Sequence, residues 1–182
     1  MPPEPLLPEP AFEPLGKRHD RSRFDCGRPE LDDYLHRQAG QDVRRRVAAA
    51  YVLAREGRVA AYYTLSATSV LLADLPDLAP KLPRYPTVPC VLIGRLAVDR
   101  ASAGQGLGGA AVMDAASRTL ASGIGAVGMV VDALDEAAAG FYARLGFTAL
   151  PSARAETGAQ AGAATGQGGS LFMPLATLAR AL

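Results

Sequence analysis

The stretch LAVDRASAGQGLGGAAVMDA, Leu96 to Ala115, decides how this chain is built. It begins inside an apolar run, Val91 to Asp99, that predicts a buried strand. It ends in an alanine-rich segment that predicts a helix from about Ala110 to Ser122. Between the two stand Gly104, Gly106, Gly108 and Gly109. Each glycine costs about 1 kcal/mol relative to alanine inside a helix. Such a cluster at a helix entrance points to backbone that must approach something closely. Successive free N–H groups and the positive end of the helix dipole make an anion site there. A pyrophosphate cradle explains the glycines better than a plain connector does.

A second reading of the same glycines competes. Gly104, Gly106 and Gly109 match G-x-G-x-x-G, and Asp132 ends the next strand, where a dinucleotide fold places its ribose-binding acid. Against this, Asp99 to Ala103 separate the strand from the first glycine, whereas the dinucleotide turn follows its strand directly. A strand pair also precedes the motif, and the chain beyond Asp132 has room for only one helix and two short strands. A second mononucleotide half does not fit. A Walker loop fails outright, because no Gly-Lys-Ser/Thr follows.

Upstream, residues 1–15 are proline-rich and predict an extended N-terminus, with residues 16–182 forming one domain. FDCGRPELDDYLHRQA predicts a helix opening at Pro29, with Glu30, Asp32 and Asp33 in its first turn and Leu31, Tyr34 and Leu35 on one apolar face. VAAAYVLAREGRVAAYYTLSAT predicts two strands joined at Glu56-Gly57. The five prolines of LPDLAPKLPRYPTVPC predict a long surface loop without a regular element. Downstream, AVGMVVDA predicts a buried strand, and DEAAAGFYARLGF a short helix begun by Asp135 and stopped by Gly146. GFTAL starts another strand, residues 152–170 form a flexible Ala/Gly-rich loop, and LFMPLATL closes the sheet. The fold class is α/β (α+β), a central mixed sheet flanked by helices.

Composition narrows the function. Nineteen Lys+Arg face eighteen Asp+Glu, yet residues Lys17–Arg46 alone carry nine basic against six acidic side chains. The run Arg44-Arg45-Arg46 is, taken by itself, an ordinary solvated surface. Cys26 and Cys90 are too few for a disulfide framework or a zinc site. His19 and His36 lack partners at metal-ligand spacing and are expected at the surface, so no metal is called for. The N-terminus has no basic region followed by an apolar run, and no window reaches the roughly 18 apolar residues of a membrane span. A cytoplasmic protein is expected.

LAVDRASAGQGLGGAAVMDA resembles the acetyl-CoA pyrophosphate loop of the GNAT family of N-acetyltransferases, Arg/Gln-x-x-Gly-x-Gly/Ala. Gly106 and Gly108 take the glycine places, and Ala103 stands where the family has Arg or Gln. AAGFYARLGF resembles the family's second hallmark. With FDCGRPELDDYL, YYTLSA, LPRYPTVPCVLIGRLAVD and LFMPLATL, the chain from Phe24 to Leu178 resembles one branch, the tRNA-acetylating toxins of toxin–antitoxin modules. The low-complexity insert near Ala153–Gly169 departs from that branch.

The resemblance implies acetyl-CoA as cosubstrate and the α-amino group of aminoacyl-tRNA as acceptor. It implies that Leu96, Ala97 and Val98 splay from the neighbouring strand and offer N–H groups to the reacting carbonyl and the pantetheine arm. Ala103, Gly104, Gln105, Gly106, Leu107, Gly108, Gly109 and Phe141 complete the cofactor site. Tyr142 is the implied general acid toward the CoA sulfur, since a phenol stays protonated at neutral pH. Arg44, Arg45, Arg46, Arg84 and Arg95 are the candidate tRNA contacts, Arg95 having the structural alternative of pairing with Asp99 or another acid. Implied partners are a ribbon-helix-helix antitoxin and a second copy in a homodimer. The alternatives are acetylation of a small amine or protein N-terminus, and a regulatory module that only binds CoA.

Overall fold

The computed structural model describes residues 11–151 and 169–180. Most of the predicted loop at 152–170, and residues 1–10 of the predicted extended N-terminus, lie outside the described residues. Seven strands form one mixed sheet: β1 (Glu13–Pro14), β2 (Ala49–Arg55), β3 (Arg58–Leu71), β4 (Thr87–Val98), β5 (Gly128–Asp132), β6 (Thr148–Ala149) and β7 (Ser170–Pro174). Their order across the sheet is β1-β2-β3-β4-β5-β7-β6. The chain divides into two compact units, Met1–Tyr63 with Leu96–Ala111, and Thr64–Arg95 with Val112–Leu182.

In the first unit, α1 (Pro29–Asp33), a π-helical turn (Tyr34–Gln38) and α2 (Ala39–Arg44) follow one another without a break. Pro29 sits at the entrance, where its missing N–H costs nothing. Leu31, Tyr34, Leu35 and Ala39 are buried, as the apolar stripe requires. The π turn widens the helix locally, and the Tyr34 hydroxyl beside it donates to Asp42 at 3.0 Å. Tyr62 donates from β3 to the Leu31 carbonyl at 2.7 Å, and its ring meets Phe24 edge-on. Tyr63 packs on Phe12 and Tyr51. Ring pairs of this kind contribute about 0.5–1.5 kcal/mol each beyond their area. The β2–β3 turn has positive φ at both Glu56 and Gly57, the two-residue hairpin geometry that matches strand twist.

One expectation is corrected here. His19 is buried, not a surface residue. Its Nδ1 accepts from the Gly16 N–H at 2.9 Å and its Nε2 bonds Glu13, which also pairs with Arg18. Glu13 belongs to β1, so this ring ties the loop to the edge strand.

In the second unit, β4 and β5 pair in parallel from Cys90↔Gly128 to Ile93↔Val131. A parallel pair needs a crossover, and α3 (Leu107–Ala121) supplies it. β7 runs antiparallel to β5 from Gly128↔Pro174 to Asp132↔Ser170, and β6 adds to its other side. Val70, Leu75, Val88, Cys90, Val130 and Phe172 form one buried cluster. Gly128 is obligatory there: a Cβ would lie 2.3 Å or less from the Phe172 ring and 2.6 Å from the Met173 carbonyl.

Three boundaries differ from expectation. β4 begins at Thr87, inside the proline-rich stretch, because Pro89 precedes the first β5 partner and needs no ladder donor. The remainder of that stretch is not structureless, carrying a 3₁₀ turn at Ala79–Lys81. The closing segment is strand only to Pro174, after which Leu175–Leu178 coils into a short helix.

Candidate active site

The glycine loop lies in the first unit. β4 ends at Val98, and Asp99 then fixes the chain: Oδ1 accepts from the Ala101 N–H at 2.8 Å and Oδ2 from the Asp25 N–H at 3.0 Å. A 3₁₀ turn over Arg100–Ser102 follows. This turn is the physical reason for the gap between strand and first glycine that the sequence displays. Ala103 N–H bonds the Arg100 carbonyl, and the next backbone donor with a carbonyl partner is Ala110, which bonds Gly106 at 3.0 Å. Among the described residues, the N–H groups from Gly104 to Gly109 thus donate to no backbone carbonyl.

Gly104 and Gly106 have φ near +75°, a left-handed conformation that strains any other residue. A Cβ on Gly104, Gly106 or Gly109 would meet nothing within 4 Å, so the protein leaves that backbone face open. α3 starts at Leu107, earlier than the alanine run suggested, and takes Gly108 and Gly109 into its first turn. Their N–H groups therefore point along the helix axis with its dipole, the arrangement that favours an anion.

The second unit holds the end of the β4–β5 ladder. The last partner pair is Ile93↔Val131, yet β4 continues through Gly94, Arg95, Leu96 and Ala97 to Val98. Beyond that pair, the Arg95 N–H donates to the hydroxyl oxygen of Thr64 on β3 at 3.0 Å. Thr64 is almost wholly buried, and a Cβ at Gly94 would stand 3.1 Å from its oxygen. The glycine leaves room for that hydroxyl.

Tyr142 lies in the last turn of α4 (Glu136–Arg144). Asp135 begins this helix, its carboxylate accepting from the Ala138 N–H at 2.8 Å. Gly146, at φ 98°, ends it: Gly146 N–H bonds Ala143 and Phe147 N–H bonds Tyr142. That pair of bonds is the Schellman closure, and it turns Phe147 back so that its ring meets Tyr142 at 5.5 Å, edge-on. Phe141 packs on the other side at 5.0 Å. The tyrosine is 7% exposed. Burial raises the pKa of its phenol well above the ordinary tyrosine range, and the charge of Asp132 adds to the effect. Among the described residues its hydroxyl has no hydrogen-bond partner, so its proton is not committed inside the protein. Asp132 itself accepts from the Ser170 hydroxyl at 2.6 Å, which gives the would-be ribose acid a structural role in the β5–β7 pair.

The predicted site residues fall out as follows. Ala97 and Leu107 are buried, Leu96, Val98, Gly108, Gly109 and Phe141 half-buried, and Ala103 to Gly106 exposed. Arg44 to Arg46 close α2 and are exposed, as is Arg84; Arg95 is half-buried. Asp99 commits both carboxylate oxygens to backbone N–H groups. Two contacts beside the predicted site were missed from the sequence. Thr64 beside Arg95 carries no local signal, and Arg55, whose Nη1 reaches Gln105 Oε1 at 2.5 Å, is brought to the glycine loop only by the hairpin.

Comparison with known proteins gives the family. The profile described as Acetyltransferase (GNAT) family matches residues 14–147. A tRNA-acetylating toxin of Mycobacterium tuberculosis is 37% identical over 135 residues, covering 73% of this chain and 81% of that protein. Among solved structures, AtaT complexed with acetyl-methionyl-tRNAfMet superposes with a TM-score of 0.80 at 31% identity, covering 94% of this chain and 98% of AtaT. A tyrosine-to-phenylalanine variant of the AtaT toxin, bound to the C-terminus of the antitoxin AtaR and acetyl-CoA, superposes at 0.72 with 29% identity, over 94% of this chain and 96% of that one. With a family profile spanning most of the described chain, and a mixed sheet whose parallel pair is joined through a glycine loop, the chain belongs to the GNAT acetyltransferase family.

Proposed function

We propose that this protein transfers the acetyl group of acetyl-CoA to the α-amino group of aminoacyl-tRNA, and is the toxin of a toxin–antitoxin pair. The observation that carries this reading is the 37% identity, over most of both chains, to a tRNA-acetylating toxin. The match to AtaT in complex with an acetylated aminoacyl-tRNA supports the same acceptor.

The residues fit acetyl-CoA. When bound, it supplies an activated acetyl thioester. The unpaired N–H groups from Gly104 to Gly109 hold its pyrophosphate, and open space over the glycines admits it. The backbone donors of Leu96, Ala97 and Val98, beyond the last β4–β5 partner pair, orient the thioester arm and stabilise negative charge on the carbonyl oxygen. Phe141 packs beside the arm. Tyr142 delivers its proton to the leaving sulfur, and burial keeps that proton in place at any physiological pH. The acceptor amine of an aminoacyl ester has a lower pKa than a lysine amine, so enough of it is neutral to attack without a dedicated base. Arg44, Arg45, Arg46, Arg84 and Arg95 are proposed to contact tRNA.

A ribbon-helix-helix antitoxin and a homodimer are the proposed assembly; the AtaT–AtaR complex supports an antitoxin partner as such. The proposed place of action is the cytoplasm, where charged tRNA is found. No helix among the described residues is long and apolar enough to cross a membrane.

The test is direct. The purified protein is incubated with acetyl-CoA and charged tRNA, and the nuclease-released aminoacyl-adenosine is examined by mass spectrometry for the mass of one acetyl group. Acetyl found on polyamines or peptide N-termini, and on no aminoacyl-adenosine, would replace this reading with the small-amine or protein alternative. Binding of CoA without transfer to any amine would leave a regulatory module.

A further inference from the structure

The basic charge concentrated before the first long strand pair has a use beyond the residues already assigned. Within the first unit, a cleft of about 290 Å³ has a buried floor of Phe24, Val59, Ala60 and Ser102. Three exposed arginines, Arg23, Arg55 and Arg58, stand around it. Arg23 comes from the N-terminal loop, and Arg55 and Arg58 flank the β2–β3 turn.

Three guanidiniums in this cleft face two carboxylates, Asp20 and Asp99, which leaves it net positive. Among the described residues, none of the three arginines makes an ion pair with a carboxylate. Arg55 bonds Gln105, a neutral side chain that leaves its charge intact. Asp99, in the cleft wall, spends both oxygens on backbone N–H groups. Asp20 is the remaining acid: its Oδ1 accepts from the N–H and hydroxyl of Ser22, and these bonds, with the nearby charges of Arg58 and Arg23, hold its carboxyl below the usual range, so it offsets part of the positive charge. Three guanidiniums around an open hollow, with planar donors free, match a phosphate group.

We propose that Arg23, Arg55 and Arg58 form a phosphate-binding cleft that grips the sugar–phosphate backbone of the RNA substrate. The proposal rests on the aminoacyl-tRNA reading above. A polynucleotide is favoured over a single phosphate because the positive surface is longer than one cleft. Asp20 also lines a second hollow of about 660 Å³ that contains Lys17, Arg21 and His36. His36 Nε2 is a buried side-chain nitrogen without a partner. A strand can lay successive phosphates along both hollows, whereas a lone phosphomonoester fills one.

The experiment uses the full chain with Arg23→Gln, Arg58→Gln and the double variant. These exposed positions tolerate a polar residue, and thermal unfolding verifies the fold. Deacylated tRNA is titrated by fluorescence anisotropy between 50 and 200 mM KCl. Each lost phosphate contact lowers the slope of log Kd against log salt by about 0.7–0.9. The double variant is expected to lose affinity about tenfold or more at low salt and to show a slope shallower by about 1.5. Arg58→Lys keeps the charge and most of the slope, which serves as the reading if a glutamine variant fails to fold. Affinity for acetyl-CoA, measured in parallel with 3′-dephospho-acetyl-CoA, is expected to change less than twofold.

An unchanged slope and tRNA affinity, in a protein that still acetylates aminoacyl-tRNA, overturns the cleft and leaves the function standing. Weakened acetyl-CoA binding with dephospho-acetyl-CoA binding unaffected assigns the cleft to the cofactor's 3′-phosphate and overturns the RNA assignment. A wild-type chain that neither binds tRNA nor acetylates it overturns both.

Discussion

Replacing Tyr142 by phenylalanine separates catalysis from packing with one oxygen atom. The ring is buried between Phe141 and Phe147, and phenylalanine preserves both contacts. The hydroxyl makes no hydrogen bond among the described residues, so its removal leaves no buried partner unsatisfied. The stability of Tyr142→Phe should therefore stay within about 0.5 kcal/mol of wild type in urea unfolding. Its kcat should not. A positioned general acid contributes about 10²–10⁴-fold, which is about 2.7–5.4 kcal/mol of barrier at 1.36 kcal/mol per decade. The assay is single-turnover acetylation of charged tRNA at saturating acetyl-CoA, with CoA thiol release followed independently. In wild type, the raised pKa of the phenol moves the alkaline limb due to Tyr142 upward, so kcat should show no loss from tyrosine ionisation near pH 10. A Tyr142→Phe rate within threefold of wild type would refute the acid role. A large rate loss accompanied by more than about 2 kcal/mol of destabilisation would assign the hydroxyl a structural task instead.

Three further outcomes follow from the same geometry. Thr64→Val keeps the side-chain shape but removes the buried hydroxyl that accepts from the Arg95 N–H, and should cost about 1 kcal/mol in urea unfolding while Thr64→Ser retains most of the stability. Gly128→Ala drives a methyl into the Phe172 ring and the Met173 carbonyl, and should lower stability by about 1–3 kcal/mol, read as a drop in Tm. Tyr142 should also leave an alkaline signature. Both states hold the phenol proton below the ordinary tyrosine value of about 10, and above it the unfolded chain loses that proton first. The folded state then binds more protons, so stability falls as pH rises past that point, and Tyr142→Phe should flatten that slope in unfolding measured from pH 8 to 11.

What the sequence displayed well is whatever neighbours along the chain decide. Pro29, Asp135, Gly146 and Glu56-Gly57 act on the residues beside them, and each does in the structure what its type and place demanded. The glycine loop belongs to the same class, because free N–H groups and positive φ are local properties. The proline-rich stretch misled for an equally local reason: a proline forbids a donor, but Pro89 stands ahead of the first β5 partner, where none is required. His19 misled because its partners, Gly16 and Glu13, supply exactly the polar contacts that make a histidine affordable in the interior. Contacts that bridge thirty or more residues left no trace. Thr64 meeting Arg95, and Arg55 meeting Gln105, depend on which strands lie side by side.

Those long-range contacts bear on the one place where the chain departs from its family's loop pattern. Ala103 offers no side-chain donor where an arginine or glutamine is expected, yet the loop does not lack cationic support. Gln105, two residues on, is held by the Arg55 guanidinium, which brings a positive charge to the loop from the hairpin. A charged donor bond of this kind is stronger than a neutral one, but both partners are exposed, so solvent and salt weaken it. The anion binding proposed for the loop then rests chiefly on the backbone donors of Gly104 to Gly109, which salt screens less when a pyrophosphate covers them. Because those donors are fixed by glycine conformations and by the start of α3, their geometry survives substitution at position 103. The loop can therefore lose its customary side chain and keep the backbone geometry proposed to hold phosphate, because that geometry is set by the glycines and not by position 103.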